Sequence, residues 1–154
     1  MPVILKSAAR HETGTSPEAG TCEAVLYSDA GGLTQFGAFV ETLAPGARSS
    51  ERHWHECEDE FLYMLSGTAT LIEDDGPHAL HPGDAVCWPA GIANGHHIVN
   101  DSAQPCSYLV AGSRMPDDRV HYSDVDRLYV RENGVVRRTR RDGSPLDPPQ
   151  EPPA

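Results

Sequence analysis

Positive charge is scarce in this chain. Lysine and arginine together number 12 against 23 aspartates and glutamates, a formal net charge of -11 over 154 residues. Nucleic acids and anionic membrane surfaces recruit basic patches, so this balance disfavours both as partners. The one dense basic run, Val136-Arg137-Arg138-Thr139-Arg140-Arg141, reads as a solvated strand or tail rather than a phosphate-binding site. Long apolar runs are also missing. Nowhere do about 18 apolar residues follow one another, as a transmembrane helix requires. The opening "MPVILKSAARHETG" has too short an apolar stretch for a signal peptide. The four cysteines (Cys22, Cys57, Cys87, Cys106) are widely spaced with no CxxC pair, so free thiols are expected rather than a disulfide framework. No internal repeat is visible, and no separate helical segment of DNA-binding length. The expected compartment is the cytoplasm.

Glycine and proline, by contrast, are plentiful, at 14 and 13 residues, and they recur between short apolar runs. That punctuation is all-β. Strands are predicted at 23–28, 34–43, 51–55, 60–65, 68–73, 78–80, 84–88, 96–100 and 107–112. Turn signals lie between them, among them "DAGG" at 29–32, "SG" at 66–67 and "HPGD" at 81–84. The length suits one domain with a core of its own, without metal or disulfide staples. Four segments are expected: an N-terminal arm with the first strand over 1–30, a barrel core over 31–112, an arm ending in a hairpin over 113–144, and a disordered tail over 145–154. The hairpin is predicted to turn at Asn133-Gly134. The tail, "PLDPPQEPPA", is too rich in proline to pack.

The most informative stretch is "RHWHECEDEFLYML", residues 52–65. Residues two apart on a strand face the same side, so His53 and His55 point together while Trp54 points away. A turn at Glu56-Cys57-Glu58-Asp59 resets the parity. A new strand then places Glu60, Leu62 and Met64 on one face, with Glu60 able to reach back to the histidines. Glu56, Glu58 and Asp59 read as solvated loop carboxylates, one of which could serve as a general base. A second cluster, "GDAVCWPAGIANGHHIVN" at 83–100, brings two more histidines ahead of an apolar strand. Metal sites draw neutral nitrogen ligands from separate strands in this way.

Gly46 to Gly67 resembles the first motif of the cupin superfamily: a glycine, His-x-His, a glutamate a few residues on, then six residues and a glycine. Gly83 to Asn100 resembles the second: a glycine, five residues, Pro-x-Gly, then a histidine with an asparagine four positions after it. Two departures stand out. Six residues rather than five separate Gly46 from His53, and the position three after Gly91 is Asn94 instead of histidine. His96 restores the spacing to Asn100 and takes the ligand role, with His97 as the competing choice. Alternation favours His96, which shares a face with Ile98 and Asn100.

The resemblance implies an all-β double-stranded β-helix, the cupin jelly-roll barrel with flanking N- and C-terminal arms. It implies one divalent metal ion per chain (Mn, Fe, Ni, Co or Zn) on His53, His55, Glu60 and His96, and a symmetric homodimer. Tyr63, Asn94 and Asn100 are candidates to orient ligands or substrate. Phe36, Leu62, Met64 and Trp88 are candidate apolar walls of a small-molecule pocket. The expected function is a small metalloenzyme acting on an oxygen-containing small molecule, of dioxygenase, decarboxylase, isomerase or lyase class. The alternatives are a metal-dependent binding or sensing module and, more weakly, a storage protein. Cupins host unlike reactions on one barrel, so the fold does not choose a substrate.

Overall fold

Antiparallel strands make up most of the computed structural model, which describes residues 3–146. In chain order they are β1 (Arg10–Ser16), β2 (Gly20–Leu26), the one-turn helix α1 (Tyr27–Ala30), β3 (Phe36–Leu43), β4 (His53–His55), β5 (Glu60–Ser66), β6 (Ala69–Glu73) and β7 (Gly76–Leu80). There follow β8 (Ala85–Trp88), β9 (His97–Val99), β10 (Cys106–Ser113), β11 (Asp118–Tyr122), β12 (Leu128–Glu132) and β13 (Val135–Thr139). They form a six-stranded sheet β1-β2-β3-β10-β5-β8, a four-stranded sheet β13-β12-β11-β4 and a three-stranded sheet β7-β6-β9. This is the expected all-β jelly-roll barrel.

Period-two alternation decides which side chains reach the interior. On β5, Leu62 and Met64 are 2% and 0% exposed, while Phe61, Tyr63 and Leu65 point outward. Leu43, Leu71, Leu80, Ile98, Cys106 and Tyr108 join Leu62 and Met64 in one core between the six- and three-stranded sheets. Each such buried side chain contributes roughly 1.5–3 kcal/mol. The turn from β5 to β6 depends on Gly67: its φ is 72°, and a Cβ there would meet the Pro105 carbonyl oxygen at 2.6 Å.

Two segments carry more structure than the sequence showed. Strand β1 pairs with β2 over its whole length and forms the edge of the six-stranded sheet. The segment after β10, read as an irregular arm, contains β11, which pairs with β4. The predicted hairpin is present: β12 and β13 turn at Asn133 and Gly134, with φ of 51° and 76°. All four cysteines are free. The tail expectation lies, from residue 147 on, outside the described residues; Pro145 bridges Thr139. Among the described residues no helix is long and apolar enough to cross a membrane.

Candidate metal centre

His53 and His55 enter the barrel from β4, Glu60 from the first position of β5, and His96 from just before β9. An isolated bridge between His53 and His96 locks the second histidine cluster to the first, with backbone hydrogen bonds of 3.2 and 3.0 Å. One ligand atom from each of His53, His55 and Glu60 lies within 4.8 Å of the others. Glu60 Oε2 is 3.0 Å from His96 Nε2 and 3.7 Å from His55 Nε2. His53, His55 and Glu60 thus gather within ligand distance of one another, and His96 joins them through Glu60, from three stretches of chain.

The outer nitrogens explain why. His55 Nδ1–H donates to Asp118 Oδ2 at 2.6 Å. His53 Nδ1 donates to the Glu51 carbonyl at 2.9 Å, and His96 Nδ1 to the Asn94 carbonyl at 3.2 Å. When only Nδ1 carries the proton, each neutral ring has a lone pair on Nε2, and those of His55 and His96 lie against Glu60. Lone pairs facing a carboxylate repel unless a cation lies between them. The donor set therefore fits a divalent ion, whose adjacent nitrogen and oxygen ligands, at about 2.0–2.2 Å from the metal, come within about 3 Å of each other.

Electrostatics set the rings apart around a charged carboxylate. Burial pushes His53 down to about 4, so its imidazole is neutral at pH 7. Burial also pulls on His55, but the Asp118 hydrogen bond and the charges of Glu60, Asp118 and Glu58 outweigh it and hold that ring above its ordinary value. Without a cation the same groups share protons instead: burial is the largest influence on Glu60 and raises it, but the hydrogen bond from His96 and the neighbouring histidines outweigh it and keep the carboxyl low.

A cavity of about 190 Å³ opens beside these groups. Its walls include Phe39, Leu62, Trp88 and Val110, with Ser49, Ser50, Glu41 and Tyr108 as polar members. Trp88 stacks on His96 at 3.9 Å and donates Nε1–H to Glu73 at 2.7 Å. A larger hollow of about 410 Å³ shares Glu60 and Trp88 with the cavity but is bordered by none of the three histidines.

Of the expected pocket residues, Leu62 and Trp88 take their places. Asn94 lies where it can orient a ligand, its carbonyl accepting from His96 Nδ1, while Tyr63, Phe36, Met64 and Asn100 need correction. Tyr63 is 39% exposed on the outer face of β5, because it alternates with Glu60 and Leu62. Phe36 is 44% exposed and borders the larger hollow; Phe39, three positions on, faces the cavity instead. Met64 is fully buried in the core, one strand repeat too deep to line the cavity. Asn100 is fully buried too, and its amide serves a turn, donating to the Leu43 and Gln104 carbonyls and accepting from Ser102. Asn94 acts through its carbonyl on His96, while its side chain holds Glu73. His97 also borders the cavity, but its Nδ1 is turned to the Ser50 carbonyl at 2.9 Å.

Of the loop carboxylates, Asp59 is exposed and Glu56 partly so, as expected, whereas Glu58 is largely shielded, and all three have partners. Glu58 is bonded to Arg131 and accepts from the Met115 N–H at 2.9 Å. Glu56 accepts from His121 Nε2 at 2.7 Å, and Asp59 from the Ala90 N–H at 2.8 Å. Sequence reasoning missed Asp118, Glu41 and Tyr108. For Asp118 the signal was weak, since its strand follows an irregular stretch. For Glu41 it was present as a lone acid at alternating spacing with Phe39 and Leu43.

Known proteins resemble this chain in both sequence and shape. The family model of the cupin domain matches residues 39–112. A sugar phosphate isomerase of the cupin superfamily from Silicibacter pomeroyi is 37% identical, with a TM-score of 0.86 over 95% of this chain and 97% of its own. A candidate sugar phosphate isomerase from Acidithiobacillus ferrooxidans is 30% identical, with a TM-score of 0.78 over 92% of each chain. Protein SchB of Streptomyces halstedii is 33% identical over 73 residues, 47% of this chain and 52% of that protein, so the chain spans about half of that curated relative.

Proposed function

The chain belongs to the cupin superfamily, and from that premise we propose that it is a metal-dependent isomerase of a small phosphorylated or polyhydroxylated carbonyl compound. The observation that carries the reading is the gathering of His53, His55 and His96 around Glu60, each ring held from behind through its Nδ1. His53, His55, Glu60 and His96 are the proposed ligands. A divalent ion there would supply Lewis acidity toward a carbonyl or hydroxyl oxygen.

The chain's own residues supply the rest. Trp88 and Leu62 exclude water from one side of the cavity, while Ser49 and Ser50 offer hydroxyls to a polar substrate. Of the reaction classes open to a cupin, the isomerase class is favoured by the two relatives that match over nearly the whole chain.

A second pocket nearby suits a phosphate. The Tyr122 ring lies 5.8 Å from the His53 ring, and the Arg127 guanidinium sits 3.8 Å over Tyr122. Tyr122, Arg127, Tyr129 and Arg138 line a polar pocket of about 200 Å³. Arg127 pairs with Glu51, but its Nε is buried without a partner, and Arg138 forms no ion pair among the described residues. Two close guanidiniums in one pocket suit an anion.

The test is NMR of aldose and ketose phosphates incubated with protein loaded with manganese, iron, cobalt, nickel or zinc. Interconversion that stops on chelation and in Glu60→Gln is expected. Arg138→Ala raises KM for phosphorylated substrates by about tenfold, roughly 1.4 kcal/mol, and leaves unphosphorylated ones unchanged. Tight metal-dependent binding with no turnover of any compound would replace the isomerase by a binding or sensing module.

A further inference from the structure

Two carboxylates border the metal-side cavity, Glu60 and Glu41, and the proposed donor set uses one of them. Glu41 sits on β3 between Phe39 and Leu43, the inward positions of a strand whose interior face is otherwise apolar. Its Oε2 accepts from the Tyr108 hydroxyl at 2.5 Å, and no arginine, lysine or histidine pairs with it among the described residues. Tyr108 itself is 1% exposed and reaches Glu41 from β10, the strand paired to β3 at that very position. An acid in such a place costs stability that an apolar residue would not. Fold maintenance alone gives no reason for it.

We propose that Glu41 is the proton-transfer residue of this site, taking a carbon-bound proton from the substrate and returning it to the neighbouring carbon, with Tyr108 holding its carboxylate in place. The inference rests on the isomerase reading. The step balances without any redox partner. Glu41 takes the proton from the carbon beside the substrate carbonyl, and the C–H electron pair becomes the C=C bond of an enediolate. The same carboxyl then protonates the adjacent carbon as the C=C pair forms the new C–H bond, and a hydroxyl proton passes between the two oxygens.

The surroundings favour this use. Burial raises the Glu41 carboxyl above its ordinary value, against the pull of the Tyr108 hydrogen bond, which moves it toward the range where a carboxyl both accepts and donates near neutral pH. The groups facing the cavity with it are Tyr108 from β10, His53 from β4, Glu60 from β5, and His96 and His97 at the start of β9, with Ser49 and Ser50 completing the polar wall. Among the described residues no lysine or arginine lines the cavity.

The experiment follows deuterium entering carbon-bound positions of dihydroxyacetone phosphate, fructose 6-phosphate and ribulose 5-phosphate in D₂O, with the metal-loaded full chain. Glu41→Gln keeps the wild-type metal content and circular dichroism but loses exchange by about 10²- to 10⁴-fold. Tyr108→Phe keeps exchange at an intermediate rate. Exchange by Glu41→Gln at the wild-type rate overturns the proposal. Absence of exchange in the wild type is failure of the isomerase reading itself, and Glu41 is then judged by a second readout. Acetohydroxamate, an enediolate mimic, is added to the zinc-loaded protein and infrared difference spectra are recorded. A protonated-carboxyl band that shifts in wild type and is missing in Glu41→Gln upholds the proton-carrying role. A spectrum identical in the two proteins refutes it.

Discussion

Asp118 and His55, 63 positions apart, meet across 2.6 Å, with the His55 Nδ1–H donating to a carboxylate that is 2% exposed. The other Asp118 oxygen accepts the Cys57 N–H at 2.9 Å. One acid thereby fixes both the tautomer of His55 and the turn leading from His55 to Glu60. Burial raises the Asp118 carboxyl, but the His55 and Cys57 hydrogen bonds outweigh it, and it stays ionised. A carboxylate behind a histidine raises the basicity of the opposite nitrogen.

Asp118→Asn is therefore expected to lower metal affinity by about 10- to 100-fold. Competition against a chromophoric chelator measures it. Unchanged affinity would mean that Asp118 only braces the turn.

His53 sets a pH dependence for the metal-free protein. Its folded value, about 4, lies below the ordinary 6.5. Between those values the unfolded chain binds more protons, so stability falls as pH drops from 6.5 toward 4. The loss attributable to this ring is about 3 kcal/mol at the acid end. Urea melts of chelated wild type and His53→Gln across that window are expected to show a shallower decline in the variant. Parallel curves would show that the ring is not desolvated as described.

The outer face of the six-stranded sheet is expected to seat a second copy of the chain. Phe61, Tyr63 and Leu65 project from it in one row at 36%, 39% and 45% exposure, an apolar stripe that a second sheet could cover. Light scattering should return twice the 16.7 kDa chain mass, and Leu65→Asp should halve it. A wild-type mass of 16.7 kDa would refute the dimer.

Much of the barrel was legible because its strands are half-buried. Alternation put His53 with His55 and Glu60 with Leu62, and the same rule ranked His96 above His97: His96, Ile98 and Asn100 are 5%, 3% and 0% exposed. Applied to Tyr63 the rule puts it outside, where it is found, and a ligand-orienting role for it runs against that alternation. Strand β1 was illegible for a physical reason. "RHETGTS" has no apolar residue and is exposed along almost its full length, so it carries no alternation.

The groups behind the donors were the hardest to foresee. Asp118 acts on His55 only because β11 returns to pair with β4, a contact between segments more than 60 residues apart. Nothing local marks it. Asn94, which breaks the histidine spacing of the second motif, gives its carbonyl to His96 and its amide to Glu73, so the departure supports the very residue that takes over the ligand role.

Elemental analysis of the purified full chain and its single-histidine variants tests the central claim most directly. The account predicts one divalent ion per chain in the wild type and in His97→Ala, and loss of that ion in His53→Ala, His55→Ala and His96→Ala. Full metal content in His96→Ala together with loss in His97→Ala would contradict it.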